Sequence, residues 1–309
     1  MIRIAILDDY QNAALEMADW SPLSDRAEIT VFADHLSNED AIVERLTSFD
    51  VVCVMRERTP LTRSIIERLP RLKLIASTGL GNASIDLEAA AQRGIEVAHT
   101  GYNPRSAIEM AWALILASSR QVARENANLR AGGWQCTVGE SLHSKTLGVL
   151  GLGNIGSEVA RIGLAFGMKV IAWSQNLTAD KAQACGARLV SKEELFQNAD
   201  ILTIHLVLSK RTKGLVGASE LQLMKPSARI INTSRGPIVN EPALIEALRE
   251  RRIAGAALDV FEIEPLPPDH PFRLLDNVLA TPHTGYVAKE LYQIFYGDTV
   301  TNITRWMSL

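Results

Sequence analysis

In the last third of the chain, four polar residues stand close behind short apolar runs. Arg235 follows Ile-Ile-Asn-Thr-Ser, Asp259 follows Gly-Ala-Ala-Leu, Glu264 lies in Val-Phe-Glu-Ile-Glu-Pro, and His283 follows Leu-Ala-Thr-Pro. An imidazole exchanges a proton near neutral pH, a neighbouring carboxylate orients it, and a guanidinium holds a carboxylate in bidentate fashion. Each of these residues alone reads as a cap or an ion-pair partner. Together they supply a proton donor for a carbonyl oxygen and a cationic anchor, which is what hydride transfer to a 2-keto acid needs from a protein. The hydride itself has to come from a nicotinamide.

The place for such a cofactor is upstream. Thr146-Leu-Gly-Val-Leu-Gly151-Leu-Gly153-Asn154-Ile155-Gly156 reads as a strand, a tight turn and a helix start, and Met168 to Trp173 as the next strand of a βαβ unit. In Gly-x-Gly-x-x-Gly the first glycine makes the turn, the second admits a pyrophosphate close to the backbone, and the third lets the helix pack on the strand. Phosphate then sits on unpaired helix N–H groups, with Asn154 and Ile155 supplying backbone. An NAD-selective site ends its second strand with an acid for the ribose hydroxyl. Here Trp173 is followed by Ser174-Gln175-Asn176, with Asp180 and Lys181 further on. The missing acid favours NADP over NAD, with dual use left open.

Both sets of residues need a scaffold whose strands end beside one another. Apolar or β-branched runs at Ile2–Leu7, Glu28–Phe32, Asp50–Met55, Leu72–Ser77 and Ile95–Ala98 alternate with helix-compatible segments at Gln11–Met17, Asn38–Thr47, Thr62–Leu69 and Leu87–Gln92. After the fingerprint the alternation resumes, with strands at Arg188–Val190, Ile201–Leu206, Arg229–Asn232, Ile253–Leu258 and Val278–Ala280, and helices at Lys192–Gln197, Ser219–Met224 and Glu241–Arg251. Such alternation specifies doubly wound parallel sheets in an α/β fold. The first unit has Asp8-Asp9-Tyr10 after its first strand and no glycine fingerprint. Pro104–Arg130 reads as one long helix whose apolar face suits a subunit interface, so a homodimer is expected. A closing helix at Val287–Met307 has to cover sheet, and its return to the N-terminal unit would make that unit discontinuous.

At 309 residues two domains are the natural expectation. Hydrophobic residues make up 47% and charged residues 22%, and the net charge of −3 carries no polyanion signal, so nucleic acid is not an expected partner. No apolar run is long enough to span a bilayer, and the N-terminal strand reaches Asp8 too soon to be a signal peptide. Cys53, Cys136 and Cys185 are far apart and odd in number, which fits a reducing, cytoplasmic compartment. His99 and His143 lack ligand-spaced companions, and no metal site is expected. His205 is read as a support for the cofactor loop, and Trp112, Trp134 and Tyr286 as packing or interface residues, with Tyr286 also placed to line the pocket.

The ordered motifs Gly-Leu-Gly-Asn-Ile-Gly, Asn232-Thr-Ser-Arg235-Gly, Leu258-Asp259-Val-Phe-Glu-Ile-Glu264-Pro and Thr281-Pro-His283-Thr-Gly resemble those of the D-isomer-specific 2-hydroxyacid dehydrogenases, over nearly the whole chain. The resemblance implies a Rossmann coenzyme domain (99–285) inserted in a flavodoxin-like substrate domain (1–98 plus 286–309), and domain closure around a small 2-keto or D-2-hydroxy acid. It makes His283 the acid/base, Glu264 its partner and Arg235 the substrate anchor. It gives Asp259 to the nicotinamide end of the cofactor, along with Thr78, Gly151, Gly153, Gly156, Ser174, Gln175, Thr233, Ser234 and Gly285 as further cofactor contacts. Leu80 and Gly81 match a loop whose N–H groups receive the substrate carboxylate. Arg56 matches a substrate arginine, although Arg56-Glu-Arg-Thr departs from the commoner Arg-Ser-x-Thr, and Val207 replaces a frequent proline. Formate or phosphite oxidation occurs on the same fold. Formate enzymes carry Gln where this chain has Glu264, whereas phosphite enzymes retain all three residues. A dinucleotide-sensing corepressor is the non-enzymatic alternative, and the absence of long flanking segments and of a basic face counts against it. No regulatory domain is expected after Leu309.

Overall fold

β-Branched and aliphatic residues dominate most strands of a computed structural model that describes residues 1–308. The chain forms two compact units, Met1–Asn103 with Val287–Leu309, and Pro104–Tyr286. The first crossing thus falls five residues later than the expected boundary at 98, because Thr100 and Gly101 are tied to the first unit by Thr100 N–H on Ser77 O and Gly101 N–H on Asp298 Oδ2.

The first unit has the parallel order β2-β1-β3-β4-β5, built from β1 (Ile2–Ile6), β2 (Ala27–Val31), β3 (Val51–Val54), β4 (Leu74–Ser77) and β5 (Glu96–His99). Side chains at Asn38, Thr62 and Asp86 accept the N–H groups that open α1 (Glu39–Leu46), α2 (Arg63–Glu67) and α3 (Leu87–Gln92). One sheet face packs on these helices through Ile42, Leu46, Ile65 and Ile66. The long last helix, Lys289–Trp306, belongs to this unit and buries Leu291, Phe295 and Ile303. The expected helix at Gln11–Met17 is instead a run of turns. Asp9, buried at the end of β1, accepts the N–H groups of Ala13 and Ala14, and this local alternative to the helical ladder wins.

The second unit opens with α4 (Arg105–Ser119) and α5 (Val122–Arg130). The expected single helix therefore breaks at Arg120–Gln121, where Gln121 has φ 55°. Seven parallel strands follow in the order β12-β11-β10-β9-β6-β7-β8. They are β6 (Thr146–Leu150), β7 (Lys169–Trp173), β8 (Arg188–Leu189), β9 (Ile201–Ile204), β10 (Arg229–Asn232), β11 (Gly255–Leu258) and β12 (Val278–Ala280). Successive strand residues serve opposite faces. Ile230 joins Leu202, Ile204 and Leu258 in one core, and Ile231 joins Leu147, Val149, Ile201 and Ala257 in the other. α4 lies in that second core through Ala111, Leu114 and Ile115, so its apolar face is spent within the chain. The chain enters the sheet at an inner strand, β6, and the winding reverses between β6 and β9. Ligands of open α/β sheets bind beyond the carboxyl ends at such a point.

Candidate active site

The glycine turn occupies this reversal. Gly151, at φ 101°, donates its N–H to Trp173 O at 2.9 Å, and a Cβ there would come within 2.6 Å of His205 O, just past the end of β9. A Cβ on Gly156 would sit 2.0 Å from Gly151 O, so only glycine lets α6 (Asn154–Ala165) start against β6. Nothing lies within 4 Å of a Cβ on Gly153, and this residue caps α6 without a side chain. The first N–H groups of α6, at Asn154 and Ile155, are thus left for an anion. These features fit a dinucleotide pyrophosphate. His205 supports the turn as expected: its N–H bonds Leu150 O, its Nε2 meets Thr203 Oγ1 at 2.9 Å, and desolvation pushes its imidazole down to about 4. After β7, Ser174 accepts Leu177 N–H in a turn that leaves Gln175 and Asn176 exposed.

Arg235, Glu264 and His283 follow the carboxyl ends of β10, β11 and β12, three adjacent strands. His283 Nδ1 lies 2.6 Å from Glu264 Oε2, with each side chain about one-fifth exposed. Glu264 Oε1 accepts Phe261 N–H at 2.9 Å, which fixes the carboxylate. With a carboxylate at Nδ1, that nitrogen carries the proton of the neutral ring and Nε2 is the exchanging position. The Tyr286 ring meets the imidazole edge-on at 5.7 Å.

His283 has φ 53°, a left-handed conformation that costs about 1–2 kcal/mol in a non-glycine residue. Asp259, 1% exposed at the end of β11, offsets this. Its Oδ1 accepts Thr281 Oγ1 at 2.6 Å and Thr284 N–H at 2.8 Å, and its Oδ2 accepts Gly285 N–H at 2.7 Å. The resemblance gives Asp259 and Gly285 to the cofactor; in the structure both are engaged in holding the loop around His283.

Arg235 is aimed by Asn232, a buried residue for which the sequence indicated no separate role. Asn232 Nδ2 donates to Arg235 O at 3.0 Å and its Oδ1 accepts Ser234 N–H at 3.0 Å. The available signal was the Asn-x-Ser spacing, which favours a side-chain turn of this kind. Ser234 Oγ bonds Leu206 O, tying the arginine loop to the strand beside the cofactor turn, while Thr233 is half-buried. Arg235 Nη1 donates to Ser234 O at 2.8 Å.

The remaining candidates lie in the first unit. Arg56 has φ 51°, donates its N–H to Thr78 Oγ1 at 2.8 Å, and accepts from Asn82 Nδ2 at 2.6 Å. Thr78 is buried, with its hydroxyl committed to this contact. The Arg56 guanidinium lies 5.6 Å from the Tyr102 ring centroid. Leu80 is 76% exposed, Gly81 is open, and neither N–H makes a hydrogen bond among the described residues. Among the described residues no group of three or more His, Cys, Asp or Glu could hold a metal ion, and no helix is long and apolar enough to cross a membrane.

The family model described as the NAD binding domain of D-isomer specific 2-hydroxyacid dehydrogenase matches residues 112–285. The chain is 43% identical over 236 residues to a glyoxylate reductase of Aeropyrum pernix, covering 73% of this chain and 70% of that protein. It is 36% identical over 319 residues to a D-3-phosphoglycerate dehydrogenase of Methanocaldococcus jannaschii, covering 98% of this chain but spanning only 59% of that relative's length. A crystal structure of a phosphoglycerate oxidoreductase from Vibrio cholerae O395 superposes with a TM-score of 0.95 at 37% identity, covering 100% of this chain and 99% of that one. With the family model matching more than half of the chain and relatives well above 30% identical, the chain belongs to the D-isomer specific 2-hydroxyacid dehydrogenase family, oxidoreductases with a Rossmann-type NAD-binding domain.

Proposed function

We propose that this protein reversibly reduces a small 2-keto acid to the D-2-hydroxy acid. The observation that carries the reading is the 2.6 Å contact of His283 with Glu264, with Arg235 behind the adjacent strand, on the sheet that bears the glycine turn. When bound, the nicotinamide supplies the hydride. His283 Nε2 gives its proton to the carbonyl oxygen as C2 is reduced, and Glu264 stabilises the imidazolium beforehand. Arg235 polarises the carbonyl and pairs with the substrate carboxylate, and Arg56, Leu80 and Gly81 remain proposed substrate contacts on the strength of the motif match. Asn154 and Ile155 hold the pyrophosphate. Thr78, Thr233, Ser234, Asp259 and Gly285 remain proposed cofactor contacts on the strength of the motif match.

We also favour NADP over NAD, because Ser174 and Gln175 stand where a ribose-binding acid would repel a 2′-phosphate. Cytoplasmic residence and a homodimer complete the proposal. For the dimer, the supporting surface is the arm after α4, where Val122, Leu129, Trp134 and Val138 are exposed and α5 buries no residue.

A panel of glyoxylate, hydroxypyruvate, pyruvate, phenylpyruvate and larger keto acids against NADH and NADPH tests the reaction. We expect turnover with a small keto acid and the higher kcat/KM with NADPH. His283→Gln should still bind cofactor while losing about 10²–10⁴-fold in kcat, the usual contribution of a general acid. Wild-type turnover in that variant would remove the assignment, and a much higher kcat/KM with NADH would reverse the cofactor preference.

A further inference from the structure

The loop that bears Glu264 is clasped from outside by two residues with no part in the chemistry above. Glu241 is the first residue of the helix Glu241–Arg249, held there by the Asn240 cap, whose side chain accepts Ala243 N–H. Its two carboxylate oxygens divide their work. Oε2 accepts Glu262 N–H at 3.3 Å, two residues before Glu264, and Oε1 lies 3.0 Å from His270 Nε2, six residues after it. His270 Nδ1 in turn accepts Phe272 N–H at 3.3 Å. An imidazole that accepts at Nδ1 must carry its proton on Nε2, so the contact to Glu241 is a donated hydrogen bond in one defined tautomer. Both side chains are mostly shielded from solvent, at 13% and 17% exposure.

The same stretch of chain makes a second seam with this loop. A Cβ on Gly236, beside Arg235, would come within 2.0 Å of Phe261 C and 2.6 Å of Glu262 N. Residues 232–241 therefore carry the arginine, abut the 261–262 backbone at Gly236, and grip both flanks of Glu264 through Glu241. Phe261 N–H is the donor that fixes Glu264 Oε1, so the grip acts one residue from the group that aims the carboxylate.

We propose that Glu241 and His270 are positioning residues for Glu264, and through it for the proton-donating His283, so that the anchor arginine and the acid/base pair are held in one register. This rests on the reduction proposed above. Loss of the clasp leaves Glu262 N–H and His270 Nε2–H without their acceptor, and the loop relaxes. A displacement on the order of 1 Å at a reacting group costs about a hundredfold in rate.

The test compares Glu241→Ala, Glu241→Gln and His270→Asn with wild type. Asn retains a side-chain oxygen for Phe272 N–H while losing the bond to Glu241, so His270→Asn decides the matter if Glu241→Ala does not fold. Two readouts are taken: kcat and KM with the best keto acid, and the downfield Nδ1–H proton resonance of His283, identified by its loss in His283→Gln. We expect kcat to fall about tenfold to a hundredfold, with cofactor Kd within about twofold, the His283 resonance broadened or lost, and Glu241→Gln lying between wild type and Glu241→Ala. Unchanged kcat with an intact resonance in the folded variants would overturn the clasp, even where thermal stability drops. If wild type reduces no keto acid but the resonance still collapses in the variants, the clasp stands and the proposed reaction fails.

Discussion

His205 shows how much the cofactor turn asks of one side chain. Its backbone pairs with Leu150, its carbonyl lies against Gly151, and its imidazole is pushed by desolvation to about 4 from an ordinary value of 6.5. The unfolded chain takes up this proton near pH 6.5, whereas the folded chain resists it until about 4. The unfolded state thus binds more protons in that window, so the stability this group allows is complete above pH 6.5 and is lost as pH falls towards 4. Urea midpoints measured between pH 7 and 4 should decline less steeply in His205→Asn than in wild type, and parallel declines would contradict the assignment. His205 was itself legible as a support for this turn, from its place after the apolar run Ile-Leu-Thr-Ile. Arg235, Glu264 and His283 were legible because each follows an apolar run inside a specific motif. Glu241 and His270 were not, because they meet each other across 29 residues and nothing local announces the pairing, while the Asn-x-Ser spacing at Asn232 indicates a turn but not that the turn aims Arg235.

Strands were the easiest elements to read, since a buried parallel sheet demands β-branched runs and tolerates little else. Helices were read where a cap and an apolar stripe coincide, as at Asn38, Thr62 and Asp86. The failures have local causes. Asp9 diverts the backbone of Gln11–Met17 into turns, and the break between α4 and α5 occurs at Gln121 with neither glycine nor proline to signal it. The short helix Ala179–Ala184 was missed as well: it buries one residue, Ala182, and so shows no apolar stripe. The junction of β6 with α6 depends on a single missing methyl group. Gly156→Ala would drive a Cβ into Gly151 O, a backbone atom that has no freedom to withdraw. We expect a loss of about 1–3 kcal/mol in urea unfolding, as for other overpacked sites, together with a raised KM for the nicotinamide cofactor. An unchanged KM would mean that α6 can slide without disturbing the phosphate site.

For the whole molecule, the 105–130 stretch has a different meaning from the one its composition suggested. The apolar face of α4 is consumed by the second core, and the exposed apolar side chains lie beyond it, with Trp134 at 75% and Val138 at 95% exposure. Sedimentation equilibrium should return twice the 33.8 kDa chain mass, and charged replacements at Leu129 and Val138 should shift it towards the monomer while circular dichroism stays unchanged. A monomeric wild type would remove the dimer proposal. The interrupted first unit also fixes an order of events during synthesis. Its five strands leave the ribosome long before the helix at Lys289–Trp306, whose Leu291, Phe295 and Ile303 are buried in the same unit. The uninterrupted Pro104–Tyr286 segment is fully translated before that helix emerges. Domains usually mature from the N-terminus onward; here the part translated first is the part completed last, and its sheet must stay unaggregated while the rest of the chain is made.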